Sequence, residues 1–275
     1  MSDESILKQM MAEFVGTFIL VLFGVGSVCI SVWTGAYGLW VVSVMFGIGV
    51  ALGVYASGKV SGGHINPAVT ITMAVFAGFP WWKVVPYIVA QTAAAFVVAG
   101  MIHFFYGEII VAFEASREVV RGEMGSQISA MGYTTFAPNP AFFGWDAEAL
   151  QKVSLTQWFL SEMIATAILL FGIFYLLDEN NTLAPQANLA PVFIAALVVA
   201  LIAYEAPISM TALNPARDIG PRIWAFIAGW DKIAFPGPRG GWWIPTASTI
   251  VGALIGGAVY HGIYKNVFKP AESSK

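Results

Sequence analysis

Two stretches of this 275-residue chain hold residue types that can handle a polar molecule in apolar surroundings. The first is Gly62-Gly63-His64-Ile65-Asn66-Pro67-Ala68-Val69-Thr70, and the second is Met210-Thr211-Ala212-Leu213-Asn214-Pro215-Ala216-Arg217-Asp218. Each reads as a loop running into a helix, with Asn as N-cap and Pro at the first helical position, where no donor is needed. A helix start exposes unpaired N–H groups and a partial positive charge, and hydrocarbon offers neither a partner. Such a start survives at membrane depth only where protein buries it or water reaches it. The chemistry on offer is hydrogen bonding to a passing oxygen and repulsion of cations. Two ordinary helix caps would also contain Asn-Pro-Ala, so the surroundings must decide.

Those surroundings are duplicated. Glu13, in Ala12-Glu13-Phe14-Val15-Gly16-Thr17-Phe18-Ile19-Leu20, precedes Asn66 by 53 residues. Glu162, in Ser161-Glu162-Met163-Ile164-Ala165-Thr166-Ala167-Ile168-Leu169, precedes Asn214 by 52. Glu, Thr, Ile and Leu recur in register, with a small residue, Gly16 or Ala165, at the same place. Two landmarks repeating at nearly one offset indicate two related halves. A carboxylate inside an apolar helix marks function or a buried partner.

Composition bounds the class. Charged residues are 11% and the mean hydropathy is +0.74, far from the roughly 25% charge of a soluble domain. A net charge of −3 is too even to suggest nucleic acid. The single cysteine, Cys29, falls in an apolar helix and reads as packing. Ser2-Asp3-Glu4-Ser5 lacks a basic n-region, so the opening apolar segment reads as a retained helix rather than a cleaved signal. The histidines His64, His103 and His261 are scattered, no second His or Cys stands near His64, and no Gly-rich phosphate loop is present. The expectation is therefore no enzyme, no metal and no cofactor, with His64 a structural imidazole.

A spanning helix needs about 20 mostly apolar residues. Six runs qualify: Phe14–Thr34, Gly38–Ser57, Val84–Tyr106, Gln157–Leu177, Ala187 to about Tyr204, and Trp242 to about Tyr264. The run from Val60 to Trp82 is broken by Gly62-Gly63 and Pro67 and reads as a loop plus half-helix; a second half-helix runs from Asn214 to about Ala228. The expected organisation is one domain over 1–275, with a first repeat at 6–106, a long outer loop at 107–154 and a second repeat at 155–266. Three spans per half reverse the second half in the membrane, the inverted-repeat arrangement that places sites at the midplane. With both termini cytoplasmic, Lys8, Lys59, Lys83, Lys265, Lys269 and Lys275 lie inside, while Arg222, Lys232 and Arg239 occupy short outer segments. Trp33, Trp40, Trp81, Trp82, Trp242 and Trp243 fall near span ends as interfacial anchors. The acidic stretch from Glu108 through Glu123 reads as solvated surface.

With these residues in place, the chain resembles the aquaporin and glycerol-facilitator family over nearly its whole length. The resemblance implies an all-α membrane protein of six transmembrane helices and two re-entrant half-helices, with an inverted internal repeat. It also implies homotetramers with one pore per subunit. Asp218 with Ile219-Gly220-Pro221-Arg222, Phe46-Gly47-Ile48-Gly49-Val50-Ala51, and Ala228-Gly229-Trp230-Asp231 are similar to the glycerol branch. For Asp218 the local alternative is an acid that favours its helix start.

The resemblance assigns roles residue by residue. Asn66, Pro67 and Ala68 meet Asn214, Pro215 and Ala216 at mid-membrane. The carbonyls of Gly62, Gly63, His64 and Ile65, and of Met210, Thr211, Ala212 and Leu213, form a ladder along the path. Glu13 and Glu162 hold the two loops; a proton relay is the rival reading. Arg217 stands at the outer constriction with Phe46, Ile202 and Thr211. Here the sequence departs from pattern: water-selective members usually carry His where Ile202 stands, and glycerol facilitators carry Gly there with aromatics at the other two sites. Glu205 ends the fifth span as either a solvated helix end or a partner for a basic group such as Arg217.

The expected function is a passive plasma-membrane channel for glycerol, related small neutral solutes and water. Alternatives are a water-dominant pore, a channel for another neutral solute such as a protonated organic acid, or an ion-coupled secondary transporter, since inverted repeats serve both classes.

Overall fold

The computed structural model describes residues 5–268. Lys269 and Lys275, and the stretch Ser2-Asp3-Glu4, lie outside the described residues. Among those described, all regular structure is helical, and six helices are long and apolar enough to cross a membrane.

Helix α1 (Ile6–Thr34) starts at Ser5, whose side chain accepts from the Lys8 amide, and stops at Gly35 in the left-handed conformation. Helix α2 (Leu39–Ser61) ends the same way at Gly62, which turns the chain back into the protein. The half-helix α3 (Pro67–Phe76) follows, capped by Asn66. Helix α4 (Val84–Ser116) completes the first half. It runs ten residues past the expected end at Tyr106, because Gly107 is tolerated ahead of a continuing helical run, Glu108-Ile109-Ile110-Val111-Ala112.

The connection after α4 carries two single turns, α5 (Gln127–Ala130) and α6 (Pro140–Phe143). It is not simply a solvated surface. Residues 125–140 are buried throughout, and Glu114 is buried in an ion pair with Arg121 at 2.9 Å. Trp33, expected at the interface, is buried too, with its indole donating to the Ser129 carbonyl at 3.0 Å. Trp40, Trp81 and Trp82 remain exposed as anchors.

Helix α7 (Leu155–Leu177) opens the second half with a Ser154–Gln157 capping box. Helix α8 (Ala190–Ser209) ends with Met210 left-handed, and the half-helix α9 (Pro215–Ala225) is capped by Asn214. After a wide turn and the short α10 (Asp231–Ala234), α11 (Ile244–Gly262) closes the bundle. The order span, span, half-helix, span thus occurs twice, the second time inverted.

Small residues set the spacing in both halves. A Cβ on Gly53 would lie 2.6 Å from the Gly16 carbonyl oxygen, and one on Gly49 2.9 Å from that of Leu20, so α1 and α2 touch backbone to backbone. The matching pair repeats this: Gly252 and Gly256 of α11 leave 2.1 and 2.2 Å to the Met163 and Ala167 carbonyl oxygens of α7. Lipid tails supply no hydrophobic drive between helices, so close packing of this kind holds them together. Across the halves, Gly47 of α2 faces the Ala195 carbonyl of α8 in the same way.

Candidate functional site: a polar path between two half-helices

The two half-helices meet tip to tip. Asn66 Oδ1 accepts from the Ala68 amide at 2.9 Å, and its Nδ2 donates to the Leu213 carbonyl at 2.9 Å. Asn214 Oδ1 accepts from the Ala216 and Arg217 amides at 3.0 and 3.4 Å, and its Nδ2 donates to the Ile65 carbonyl at 2.8 Å. Each side chain therefore caps its own helix and fastens the other half's loop. The Pro after each Asn brings no donor that would need a partner.

The loops are held in an unfavourable backbone shape. Ile65, Met210, Thr211 and Leu213 all have positive φ, from 44° to 66°. Non-glycine residues in that region cost of order 1–3 kcal/mol each and persist where surroundings over-determine them. The two buried glutamates supply that determination. Glu13 accepts from the His64 amide at 2.9 Å, the Ile65 amide at 2.6 Å, the Ser61 hydroxyl at 2.6 Å and Gln91 Nε2 at 2.7 Å. Glu162 accepts from the Ala212 amide at 2.8 and 3.0 Å, the Leu213 amide at 3.3 Å and the Ser209 hydroxyl at 2.5 Å. Turning these amides towards the glutamates turns the intervening carbonyls the other way.

A cavity of about 150 Å³ lies between the halves and is bordered by Gly62, Gly63, His64, Ile65 and Asn66 from one loop and by Thr211, Ala212, Leu213 and Asn214 from the other. Met210 does not border it. Its backbone ends α8, and its sulfur accepts from the Phe136 amide. The Ile65 and Leu213 carbonyls border the cavity but are each engaged by an Asn amide. His64 is fixed by Nδ1 against Thr70 Oγ1 at 3.2 Å and by ring contacts with Phe79 and Tyr87.

Phe46, Ile202, Thr211 and Arg217 all border this cavity. Phe46 lies over Gly24, where a Cβ would come within 2.3 Å of its ring. The Arg217 guanidinium stands 5.3 Å from the Phe46 ring centroid, and Nη1 donates to the Tyr133 carbonyl at 3.3 Å, while Nε makes no hydrogen bond. Much of the remaining lining is apolar, with Leu20, Val50, Val198 and Ile173. Donors and acceptors beside hydrocarbon suit an amphipathic neutral molecule.

A model of the major intrinsic protein family matches residues 1–260. The chain belongs to that family. It is 40% identical over 264 residues to the glycerol uptake facilitator protein of Escherichia coli K12, covering 94% of this chain and 89% of that one. It is 36% identical over 261 residues to the propanediol uptake facilitator PduF of Citrobacter freundii, covering 94% and 92%. The X-ray structure of the aquaglyceroporin from Plasmodium falciparum superposes with a TM-score of 0.81 at 26% identity, over 96% of this chain and 99% of that one. The protein is thus a multi-pass membrane protein with the aquaporin fold.

Several residues that position this family member's site escape a reading of the sequence. Ser61 and Ser209 each stand five residues before the motif Asn and bond the loop-holding glutamate. Their shared spacing is the signal that could have found them. A third Asn-Pro-Ala, at Asn139-Pro140-Ala141, caps α6, and its Nδ2 donates to the Ala206 carbonyl at 2.8 Å. Asp218, expected as a branch marker or a dipole partner, is a buried anchor. It pairs with Arg222 at 2.9 Å and accepts from the Thr134 hydroxyl and the Thr135 amide and hydroxyl at 2.7, 2.8 and 2.7 Å. Arg222 is therefore not a loop charge. Arg239 is also committed, donating to the Leu150, Val153 and Ala137 carbonyls, and burial lowers its pKa. In the same connection, burial holds the Tyr133 phenol well above its ordinary range, so it stays neutral beside His103 Nδ1 at 2.9 Å.

Glu205 is neither solvated nor paired with Arg217. It is 1% exposed and bonded to Ser161 and Ser209. It lies in the last turns of α8 on the face that meets α7, where Ser161 and Ser209 engage it.

Proposed function

We propose that this protein is a passive channel for glycerol and related small neutral polyols, together with water, and that it excludes ions and protons. The observation that carries the reading is the reciprocal Asn66–Leu213 and Asn214–Ile65 bonding at the tips of two opposed half-helices, on the edge of a cavity lined from both halves. Two positive helix ends and the Arg217 cation oppose cations, while carbonyls and amides replace the water lost by a polyol. The names of relatives that take up glycerol and propanediol support the same substrate class. In this reading Phe46, Ile202, Thr211 and Arg217 form the filter, and Glu13 and Glu162 hold the loops.

A second reading, favouring diols over triols, has one specific support. Ile202 presents a branched apolar side chain to the cavity, and Thr211 gives it no aromatic surface. The subunits assemble as homotetramers in the plasma membrane in this reading, and the exposed apolar side chains Phe104, Phe105, Val85 and Val89 along α4 support the membrane location. Both termini face the cytoplasm, with Lys8, Lys59 and Lys83 on that side. Stopped-flow light scattering on proteoliposomes tests the function directly. Glycerol and propanediol should equilibrate well above the empty-vesicle rate, and a proton gradient should persist. Glycerol rates equal to those of empty vesicles would refute the proposal.

A further inference from the structure

The Ser209 hydroxyl touches two carboxyl groups. Its Oγ lies 2.5 Å from Glu162 Oε1 and is also hydrogen-bonded to Glu205 Oε1. Both acids are buried, at 0% and 1% exposure. A hydroxyl has one hydrogen to give. It can satisfy one carboxylate, and the second contact then needs a proton on the other acid, donated to the Ser209 oxygen.

The surroundings say which acid carries it. Glu162 receives two backbone amides, which favour the charged form. Within hydrogen-bond geometry Glu205 receives, besides Ser209, the Ser161 hydroxyl, whose single hydrogen is also sought by the Trp158 carbonyl, and the Thr211 amide and hydroxyl stand beside it at longer range. Its Oε2 is buried with no hydrogen bond. A charge left in that state would be expensive; a neutral acid costs far less.

The other half of the molecule acts as an internal control. The residue nine before Asn214 is Glu205, and the residue nine before Asn66 is Ser57. Ser57 returns its hydroxyl to the Gly53 carbonyl at 2.7 Å, and Glu13 holds its loop with no second acid at that position. The second carboxyl is an addition to one half of a duplicated frame.

That addition sits under the cavity wall. The amide and hydroxyl of Thr211 stand close enough to the Glu205 carboxyl to favour its charged form, yet Thr211 Oγ1 is buried and has no partner at full hydrogen-bond distance. Thr211 Oγ1 and Glu205 Oε2 are thus neighbouring groups that each lack a close hydrogen bond. An ionised Glu205 would draw that hydroxyl in and turn the methyl towards the path.

We propose that Glu205 and Glu162 share one proton through Ser209, and that its loss re-aims Thr211 and slows polyol passage. Glu205 is then a positioning residue that makes flux depend on pH. The flux part rests on the channel function proposed above; the shared proton does not.

The other charged groups around the pair are few. On α7 the facing group is Glu162 itself, and Tyr175 belongs to the far end. From the start of α9 the Arg217 cation acts on Glu162, while Asp218 is taken by Arg222. On α2 the titratable residues are Tyr55 and Lys59, at the opposite end, where Tyr55 bonds Asn188 ahead of α8. The connection after α4 contributes the neutral Asn139 at Ala206.

The test measures glycerol and water uptake by proteoliposomes clamped on both sides from about pH 5 to about pH 9, a range that brackets buried carboxyls. Infrared difference spectra are taken on the same full-length protein. Wild-type glycerol flux should fall roughly tenfold across one titration step, the change that a barrier higher by about 1.4 kcal/mol produces. Glu205→Gln, neutral at every pH, should hold the acid-side flux throughout. The carbonyl band of a protonated carboxyl should fade along the wild-type curve and be missing in Glu205→Gln. Superimposable pH profiles for the two proteins would overturn the proposal. So would a wild-type spectrum with no protonated-carboxyl band at any pH, a result that stands even if the variant fails to assemble. Protein that passes no glycerol at any pH would contradict the channel function, and the band would still decide the shared proton.

Discussion

Asn66 and Asn214 each donate an amide hydrogen to the carbonyl that immediately precedes the other, at 2.9 and 2.8 Å. The two halves of the chain are therefore closed onto each other by a reciprocal pair, and the closure uses the same side chains that cap α3 and α9. Capping and closure are not separable functions here.

That dual use makes the pair testable. Losing a cap costs about 0.5–2 kcal/mol, and leaving a buried carbonyl without its donor adds about 1–3 kcal/mol. Asn66→Ala and Asn214→Ala should each lower thermal stability in detergent. Because both act on the same two loops, the double variant should be less damaging than the sum, with a coupling of at least about 0.5 kcal/mol. Strict additivity in a double-mutant cycle would mean that the loops do not brace one another.

Arg217 supplies a second prediction. Its guanidinium is held by one carbonyl and by the Phe46 face, and its Nε is left unpaired at the cavity. A unit charge at about 4 Å and an effective dielectric near 20 opposes a passing cation by about 4 kcal/mol, roughly a thousandfold in occupancy. Arg217→Ala should therefore admit protons or small cations, read by a trapped pH dye under an imposed gradient, while glycerol still passes. A cation barrier unchanged in that variant would remove Arg217 from the filter.

How much of this arrangement the sequence discloses depends on distance along the chain. The half-helices and their glutamates are legible because Glu13 and Asn66 recur as Glu162 and Asn214 at nearly one offset, and the spans because bilayer solvation demands long apolar runs. The buried 125–140 segment is not legible. It is polar and Gly-rich, like a solvated loop, and its partners lie far away: Thr135 bonds Asp218, and Ser129 bonds both Trp33 and Trp230. Nothing local distinguishes a polar segment that meets water from one that meets a buried acceptor 83 residues on. Glu205 is hidden for the same reason, since its partner Ser161 lies 44 residues earlier in the chain.

Ile202 tests the solute preference. It borders the cavity with a branched side chain, and in the proposed filter a polyol passes it. Misfit of even one methylene is worth about 1–3 kcal/mol in a tight site. Ile202→Gly should raise glycerol flux by about tenfold or more on that scale, with a smaller change for water, and should be less stable than Ile202→Ala by about 1 kcal/mol through the helix interior. Equal changes in both fluxes would show that Ile202 does not set the constriction.

Asp218 joins the buried connection after α4 to the seat of Arg217, one of the four residues proposed as the filter. Its carboxylate holds Thr134 and Thr135, the carbonyl of the adjacent Tyr133 receives Arg217, and Arg222 closes the group by bonding both Asp218 and the Thr135 carbonyl. Removing one member of a buried ion pair leaves an uncompensated charge and costs about 3–5 kcal/mol. Asp218→Asn should therefore lower the melting temperature sharply, and the surviving folded protein should leak cations because Tyr133 no longer seats Arg217. Replacing Asp218 and Arg222 together by apolar residues should restore part of the stability, since the stranded charge is gone, but not the cation barrier, since the loop is still unanchored. Recovery of both by the double replacement would mean that the ion pair stabilises α9 alone and does not set the filter.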